Sequence, residues 1–422
     1  MSLPRMYRIR QSFDAPRLDD VPGEVERQLA TLNLGARIRP GETVAVTAGS
    51  RGIANIAVIT RATVAHLARL GAAPFIVPAM GSHGGGTVEG QLEVLAGYGI
   101  TPEAMGAPIR ASMETVVVDR IFGEVPVHFD RHAFEADHVL VAGRIKPHTL
   151  FVGEIESGLH KMMLIGLGKH EGAKVYHRAI SDHSFAEIVA AVADVVLRKC
   201  KVVAGLGIVE NAYDDTALVA AVRPEEFRQR EAKLLAQAKQ WMPRLPFPDV
   251  DLLIVDRIGK NISGSGMDTN VIGRKFNDHV AMEGDWAKCR RIYVCGLTPE
   301  THGNALGIGM AEYTNERTLA QVDRQKTWVN CITSGHPTAG SLPIAFATDR
   351  EGIAAALTTV GLVPAESARV IHIADTLHLK EVLVSEAYRS RIEKRDDLEI
   401  LAGPRAMEFE AEGGVRSVGG GH

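Results

Sequence analysis

Short, nearly continuous apolar runs recur along the chain. They are TVAVT (43–47), PFIVP (74–78), TVVVD (115–119), HVLVAGRI (138–145), KVVAGLGIV (201–209), DLLIVDRI (251–258), RIYVCGL (291–297) and RVIHIAD (369–375). They are rich in Val and Ile and lack polar alternation, as expected of strands buried on both faces. Helical periodicity lies between several of them. IANIAVITRATVAHLARL follows the first run, SFAEIVAAVADVVLRK precedes KVVAGLGIV, and REGIAAALTTVGL precedes RVIHIAD. This alternation predicts an α/β fold: two α/β domains with mainly parallel sheets and an active-site cleft between them. The charged amphipathic segment PEEFRQREAKLLAQAKQWM runs into PRLPFPDV, whose three prolines mark the boundary near 243–249. The expected division is 1–245 for a cofactor-binding domain, 249–400 for a second domain, and 401–422 for a tail ending in a disordered SVGGGH.

In α/β folds ligands gather at the carboxyl ends of the strands. There the sequence places AGSRGI after TVAVT, GSHGGGT after PFIVPAM, KPHT after HVLVAGRI and GKNISGSGMDTN after DLLIVDRI. Each loop joins glycines to one or two polar side chains. Glycines such as Gly84 and Gly85 let backbone N–H groups approach an anion.

Composition narrows the classes. The chain has 422 residues, 45% hydrophobic and 23% charged, enough for more than one core. Its net charge of −4, without a basic stripe, argues against nucleic acid and against anionic membrane surfaces. No apolar run approaches the ~20 residues that span a bilayer, and the N-terminus lacks the apolar segment of a signal peptide. Cys200, Cys289, Cys295 and Cys331 are scattered without a CxxC pair, which suits reduced thiols in a cytoplasm. A homo-oligomeric state stays open. No Walker A, G-x-G-x-x-G after a strand, H-E-x-x-H or G-x-S-x-G is present, and GLGKHEG only superficially resembles a phosphate loop.

The stretch KPHTLFVGEIESGLHKMMLIGLGKHEGAKVYHR (146–178) crowds lysines and histidines into glycine-rich, apolar sequence. Lys161 reads either as a lysine snorkelling out of a half-buried element or as a desolvated amine available as a nucleophile or covalent anchor. His148, in a Pro-His-Thr turn past a strand, reads as a surface residue or as an acid/base, and His83 carries the same two readings. His177 reads as a surface histidine or a metal ligand. His160, His170 and His183 are read as ordinary structural histidines.

Taken together, GSHGGGT, KPHT, the Ser-Gly-Leu-His-Lys segment and the later histidine resemble the nickel-pincer-dependent lactate racemase family. The resemblance covers roughly 10–210 with motifs and the rest loosely. It implies catalytic roles for His83 and His148. It implies a cofactor anchored covalently on Lys161 behind Ser157 and Gly158, and a nickel ligand at His177, sixteen residues further on. Arg51 matches a family arginine past the first strand, implied to meet cofactor or substrate. Ala48 stands where the family has an aspartate, and the loop from His148 to Lys161 is longer. The family's substrate-holding glutamine and lysine have no evident match. GKNISGSGMDTN is the stand-in, offering Lys260, Asn261 and Asp268.

What the resemblance implies is an isomerase, a racemase or epimerase of a small-molecule 2-hydroxy acid. The cofactor it implies is the nickel-pincer nucleotide, a pyridinium bisthiocarboxylic acid mononucleotide carrying Ni. Removing the α-hydrogen as a proton beside a carboxylate is very unfavourable, whereas hydride removal needs an acceptor, which the cofactor supplies. Two histidines suit a hydroxyl proton that leaves on one face and returns on the other. Two other readings stay beside this one: a sugar-acid epimerase of the same chemistry, and a non-catalytic binder of phosphorylated small molecules.

Overall fold

The computed structural model describes residues 2–50, 52–149, 151–179, 182–274, 284, 286–334 and 336–418, without the side chains of His177, Thr333 and Ser334. Its strands, in chain order, begin with β1 (Met6–Gln11), β2 (Thr43–Ala48), β3 (Ala73–Pro78), β4 (Thr115–Ile121) and β5 (Val125–Asp130). β6 (His138–Arg144), β7 (Val202–Glu210), β8 (Thr216–Val222), β9 (Asp249–Val255) and β10 (Lys288–Val294) follow. The last are β11 (Tyr313–Asn315), β12 (Ile344–Phe346), β13 (Val370–Ile373), β14 (Glu381–Ser385) and β15 (Leu398–Arg405).

The chain divides into two compact units, one of residues 15–242 and one of residues 1–14 with 243–422. The first is built on a five-stranded sheet of order β3-β2-β6-β7-β8. Its first four strands run parallel, and β8 returns antiparallel to β7. Side chains alternate between two cores, as a period of two requires. Ala45, Phe75, Val77, Val139 and Val141 face one core with Ile188 and Val192 of the helix Phe185–Lys199. Val44, Val46, Ile76 and Leu140 face the other with Ile59 and Leu67 of the helix Ile56–Arg69. This is the mainly parallel α/β architecture that the apolar runs predict.

One run departs from that reading. TVVVD forms β4, which among the described residues pairs with β5 alone, in a two-stranded antiparallel ribbon. Its valines are half-buried, and Val117 is 49% exposed. A valine run records β-propensity as well as burial, and here the first operates with little of the second.

The second unit has an eight-stranded sheet of order β12-β11-β10-β9-β13-β14-β1-β15. The strands from β12 to β13 are parallel, while β14, β1 and β15 are antiparallel. The sequence boundaries put residues 1–14 with the first domain, yet β1 lies between β14 and β15 and groups with residues 243–422. The segment from 401 is not a loose tail: β15 runs to Arg405, Phe409 bridges Val415, and Val418 is buried. The disorder expected of the extreme end falls on 419–422, outside the described residues.

Candidate functional site

In the 15–242 unit the loops after β2, β3 and β6 leave the same carboxyl edge of the parallel sheet. His83 follows β3, and its backbone N–H donates to the carbonyl of Met80 at 3.1 Å. Ser50, past β2, hydrogen-bonds through Oγ to His83 Nδ1, and the Tyr98 hydroxyl donates to the Ser50 carbonyl at 2.7 Å. Gly84, Gly85 and Gly86 have φ of 67°, 68° and 67°, a left-handed run that glycine adopts without the Cβ penalty. A Cβ on Gly85 would meet open space, so this part of the loop is uncovered.

A buried polar network underlies this loop. Gln91 is fully buried, and its amide donates to the carbonyls of Gly81 at 3.1 Å and His83 at 3.4 Å. Lys169, also fully buried, donates through Nζ to the Pro78 carbonyl at 2.5 Å and to Gln91 Oε1 at 3.4 Å. Its ammonium pairs with Asp130 at 3.0 Å. Burial lowers the Lys169 pKa below its ordinary value, and Asp130 opposes the shift. The sequence reading singled out neither Lys169 nor Gln91 as supports of the histidine loop. The available signal was a lysine inside the glycine-rich, apolar run GLGKHEG.

The segment after β6 supplies the other candidates. Lys146 pairs with Ser157 in an antiparallel bridge, so 146–157 is a closed loop. Glu156 is buried within it, takes the backbone N–H of His148 at 2.8 Å and pairs with Lys239 at 2.5 Å. The His148 ring lies 4.7 Å from Phe151 and 5.7 Å from Phe185, and these two phenyl rings stack at 4.1 Å. His148 is therefore a partly buried histidine held against aromatic faces. Gly158 follows the bridge and opens the short helix Leu159–Lys161, which passes into a π-turn, Met162–Gly166. A Cβ on Gly158 would stand 2.2 Å from Glu231 Oε1. Glu231 is buried and holds His160 Nδ1 at 2.7 Å, so His160 is a core-paired histidine.

Lys161 is half-buried beside the buried Leu159, His160 and Met163. Met162 ties this element to the sheet edge, its Cε lying 3.2 Å and 3.3 Å from where Cβ atoms on Gly49 and Gly143 would stand. Ile165 lies as closely against Gly81. The loops bearing Ser50, His83 and His148 and the element bearing Lys161 are thus gathered on one edge. His170 adds a buried Nδ1 without a hydrogen-bond partner, beside Gly86.

Arg51 lies outside the described residues. Its neighbours are held by a pair not foreseen from sequence: Arg144 Nη1 bonds Glu210 and also donates to the Gly52 carbonyl at 3.2 Å. Glu210 in turn accepts the Ala54 N–H at 2.6 Å. His177 lies in the helix Lys169–Ala179, and its proposed metal contact falls outside the described side chains. Among the described residues no cluster of three or more His, Cys, Asp or Glu forms a metal site.

In the second unit, Lys260 and Asn261 follow β9. Lys260 Nζ donates to Asn330 Oδ1, and Asn261 Oδ1 accepts the Thr298 hydroxyl at 2.7 Å. Asp268 caps the helix Thr269–Ile272, accepting the Asn270 N–H at 2.9 Å. Among the described residues no helix is long and apolar enough to cross a membrane.

No family model and no curated protein sequence matches the chain. Among solved structures, the lactate racemase apoprotein from Thermoanaerobacterium thermosaccharolyticum is similar with a TM-score of 0.51 at 12% identity, over 87% of this chain and 94% of that one. A protein from Thermotoga maritima is similar with a TM-score of 0.49 at 11% identity, over 79% of this chain and 84% of that one. The first similarity is one of fold, an α/β architecture shared at remote sequence distance.

Proposed function

We propose that this chain is a racemase or epimerase of a 2-hydroxy acid, working with a lysine-anchored nickel-pincer nucleotide. The observation that carries the reading is the gathering of the His83 loop, the His148 loop and the Lys161 element on one sheet edge, with Ser50 bonded to His83 and Met162 against Gly49 and Gly143. The remote fold similarity to lactate racemase supports it.

The residues fit such a group. A covalent anchor needs a primary amine in a partly desolvated place, and Lys161 is half-buried ahead of a π-turn, a feature frequent at functional sites. A phosphate needs backbone donors, and the Gly84–Gly86 loop is left-handed and open at Gly85. The unpartnered, buried His170 Nδ1 offers a further polar contact there. A metal held mainly by its cofactor needs one protein nitrogen rather than a cluster, and His177 is the residue proposed for it. When bound, the cofactor supplies a two-electron acceptor for the α-hydrogen.

The protein's part is proton handling and orientation. With Nδ1 engaged by Ser50, His83 exchanges the hydroxyl proton at Nε2. His148, its backbone fixed by Glu156 and its ring by Phe151 and Phe185, serves the opposite face. Arg51, Lys260 and Asn261 are the proposed contacts for substrate carboxylate or cofactor phosphate.

The test is to produce the protein with the cofactor pathway. Its intact mass should exceed the sequence mass, and Lys161→Ala should abolish the increment. With substrate deuterated at the reacting carbon, the label should stay on the product. His83→Ala and His148→Ala should each stop interconversion while retaining the adduct. An unmodified Lys161, or rapid loss of label to water, overturns the reading.

A further inference from the structure

A cavity lies in the unit of residues 1–14 with 243–422, lined by none of the candidate site residues above. Strand register sets His372, Leu383, Arg8 and Ala402 in one row across β13, β14, β1 and β15. The chain after β15 folds back over this face. Its return is fastened at two points: Val415 N–H donates to Asp349 Oδ2 at 2.7 Å, and Ser417 Oγ and Val418 N–H donate to Asp256 Oδ2 at 2.7 and 2.9 Å. Between this roof and the sheet a cavity of about 310 Å³ remains. Protein interiors are close-packed, and a gap of this size is at the lower end of small-molecule sites.

The lining has two parts. Met6, Leu383 and Met407 supply apolar wall, and Arg8, Arg405 and Arg416 supply cations. Arg8 is paired with Glu381 at 2.7 Å and Arg416 with Glu408 at 2.5 Å, both pairs partly exposed. Arg405 is exposed and has no ion-pair partner among the described residues. Among the lining guanidinium groups Arg405 is thus the one without a carboxylate, and it stands beside an apolar recess. A single uncompensated guanidinium suits a monoanion with an apolar body better than a phosphate dianion, and it matches a carboxylate through two parallel hydrogen bonds.

We propose that this cavity binds a small monocarboxylate, with the carboxylate on Arg405 and the apolar body against Met6, Leu383 and Met407. The proposal is independent of the racemase reading, because no residue is shared.

The probe is octanoate, titrated calorimetrically into the full chain, with 1-octanol and octyl phosphate as comparisons. Octanoate should bind one saturable site, at least tenfold more tightly than either comparison. Arg405→Met should weaken octanoate at least tenfold without changing octanol. Arg405→Lys should recover part of the loss, and Ala402→Leu, which narrows the recess and keeps every charge, should abolish binding. Circular dichroism reports the fold of each variant. Octanoate binding no tighter than octanol, tighter binding of octyl phosphate, or octanoate binding indifferent to both Arg405→Met and Ala402→Leu overturns the proposal.

Discussion

Lys169 carries two local costs at once: a non-glycine residue at φ 54° and an ammonium with no solvent. Both are offset by what it ties together, the Asp130 carboxylate, the end of β3 and Gln91 beneath His83. Lys169→Met would leave Asp130 buried without its counter-charge, and such losses cost about 3–5 kcal/mol. Urea unfolding should show a loss of that order. Burial lowers the ammonium's pKa from 10.5. The unfolded chain therefore holds a proton that the folded chain releases in the window between the lowered value and 10.5. Stability from this group rises with pH across that window, and the rise should vanish in the variant. The loop positions of His83 and His148 at strand ends were legible in the sequence, because each sits in a glycine- or proline-marked turn after an apolar run. Lys169 was not, since nothing in GLGKHEG reveals that Asp130 folds against it. The same holds for Glu231 under Gly158 and Glu210 beside Arg144, where the partners are distant in sequence.

Helix and strand interiors were read well where burial and propensity agree, as in β2, β3, β6, β7 and β9. Strands that carry charge on one face escaped notice. β1, MYRIRQ, alternates Arg8 and Arg10 with the fully buried Ile9, but its apolar stripe is too short to stand out. β11 and β12 have three residues each, below what periodicity resolves. Glycines show the same division between local and tertiary causes. Gly158 has extended backbone, so its need for a hydrogen comes from packing alone, from Glu231 and Ile145. Gly158→Ala should cost about 1–3 kcal/mol by overpacking and lower the melting temperature. Gly97, near the end of the helix Val88–Gly97, has ordinary φ and nothing near a would-be Cβ. Gly97→Ala should raise stability by about 0.5–1 kcal/mol, read in the same melting experiment. If both variants melt alike, the packing around Gly158 is looser than its contacts imply.

For the whole molecule, the prolines at 243–248 point to the place where the contacts divide, after Met242. Assignment of residues 1–14 was beyond the sequence, because strand pairing across the chain leaves no local mark. Their role can be tested. Ile9 pairs with Val382 on one side and Ile400 on the other, so proline there removes ladder hydrogen bonding from an internal strand. Calorimetry of Ile9→Pro should show the transition of the unit holding β9–β15 shifted down by several degrees, with that of 15–242 unchanged. A common shift of both would mean that the two units unfold as one. The architecture shared with the lactate racemase apoprotein extends over 87% of the chain, and at 12% identity it is a likeness of fold, which does not by itself carry function.

The placement of β1 has a consequence for biosynthesis. Arg8 and its partner Glu381 are 373 residues apart. At about 5–20 residues per second, the first strand leaves the ribosome roughly 20–75 s before its neighbours exist. An orphan strand in that interval is a template for aggregation. Arg8 and Arg10, which in the finished sheet meet Glu381 and Glu399, are then two unpaired like charges on the waiting strand. The same residues that lock the strand in place at the end guard it from other chains at the beginning.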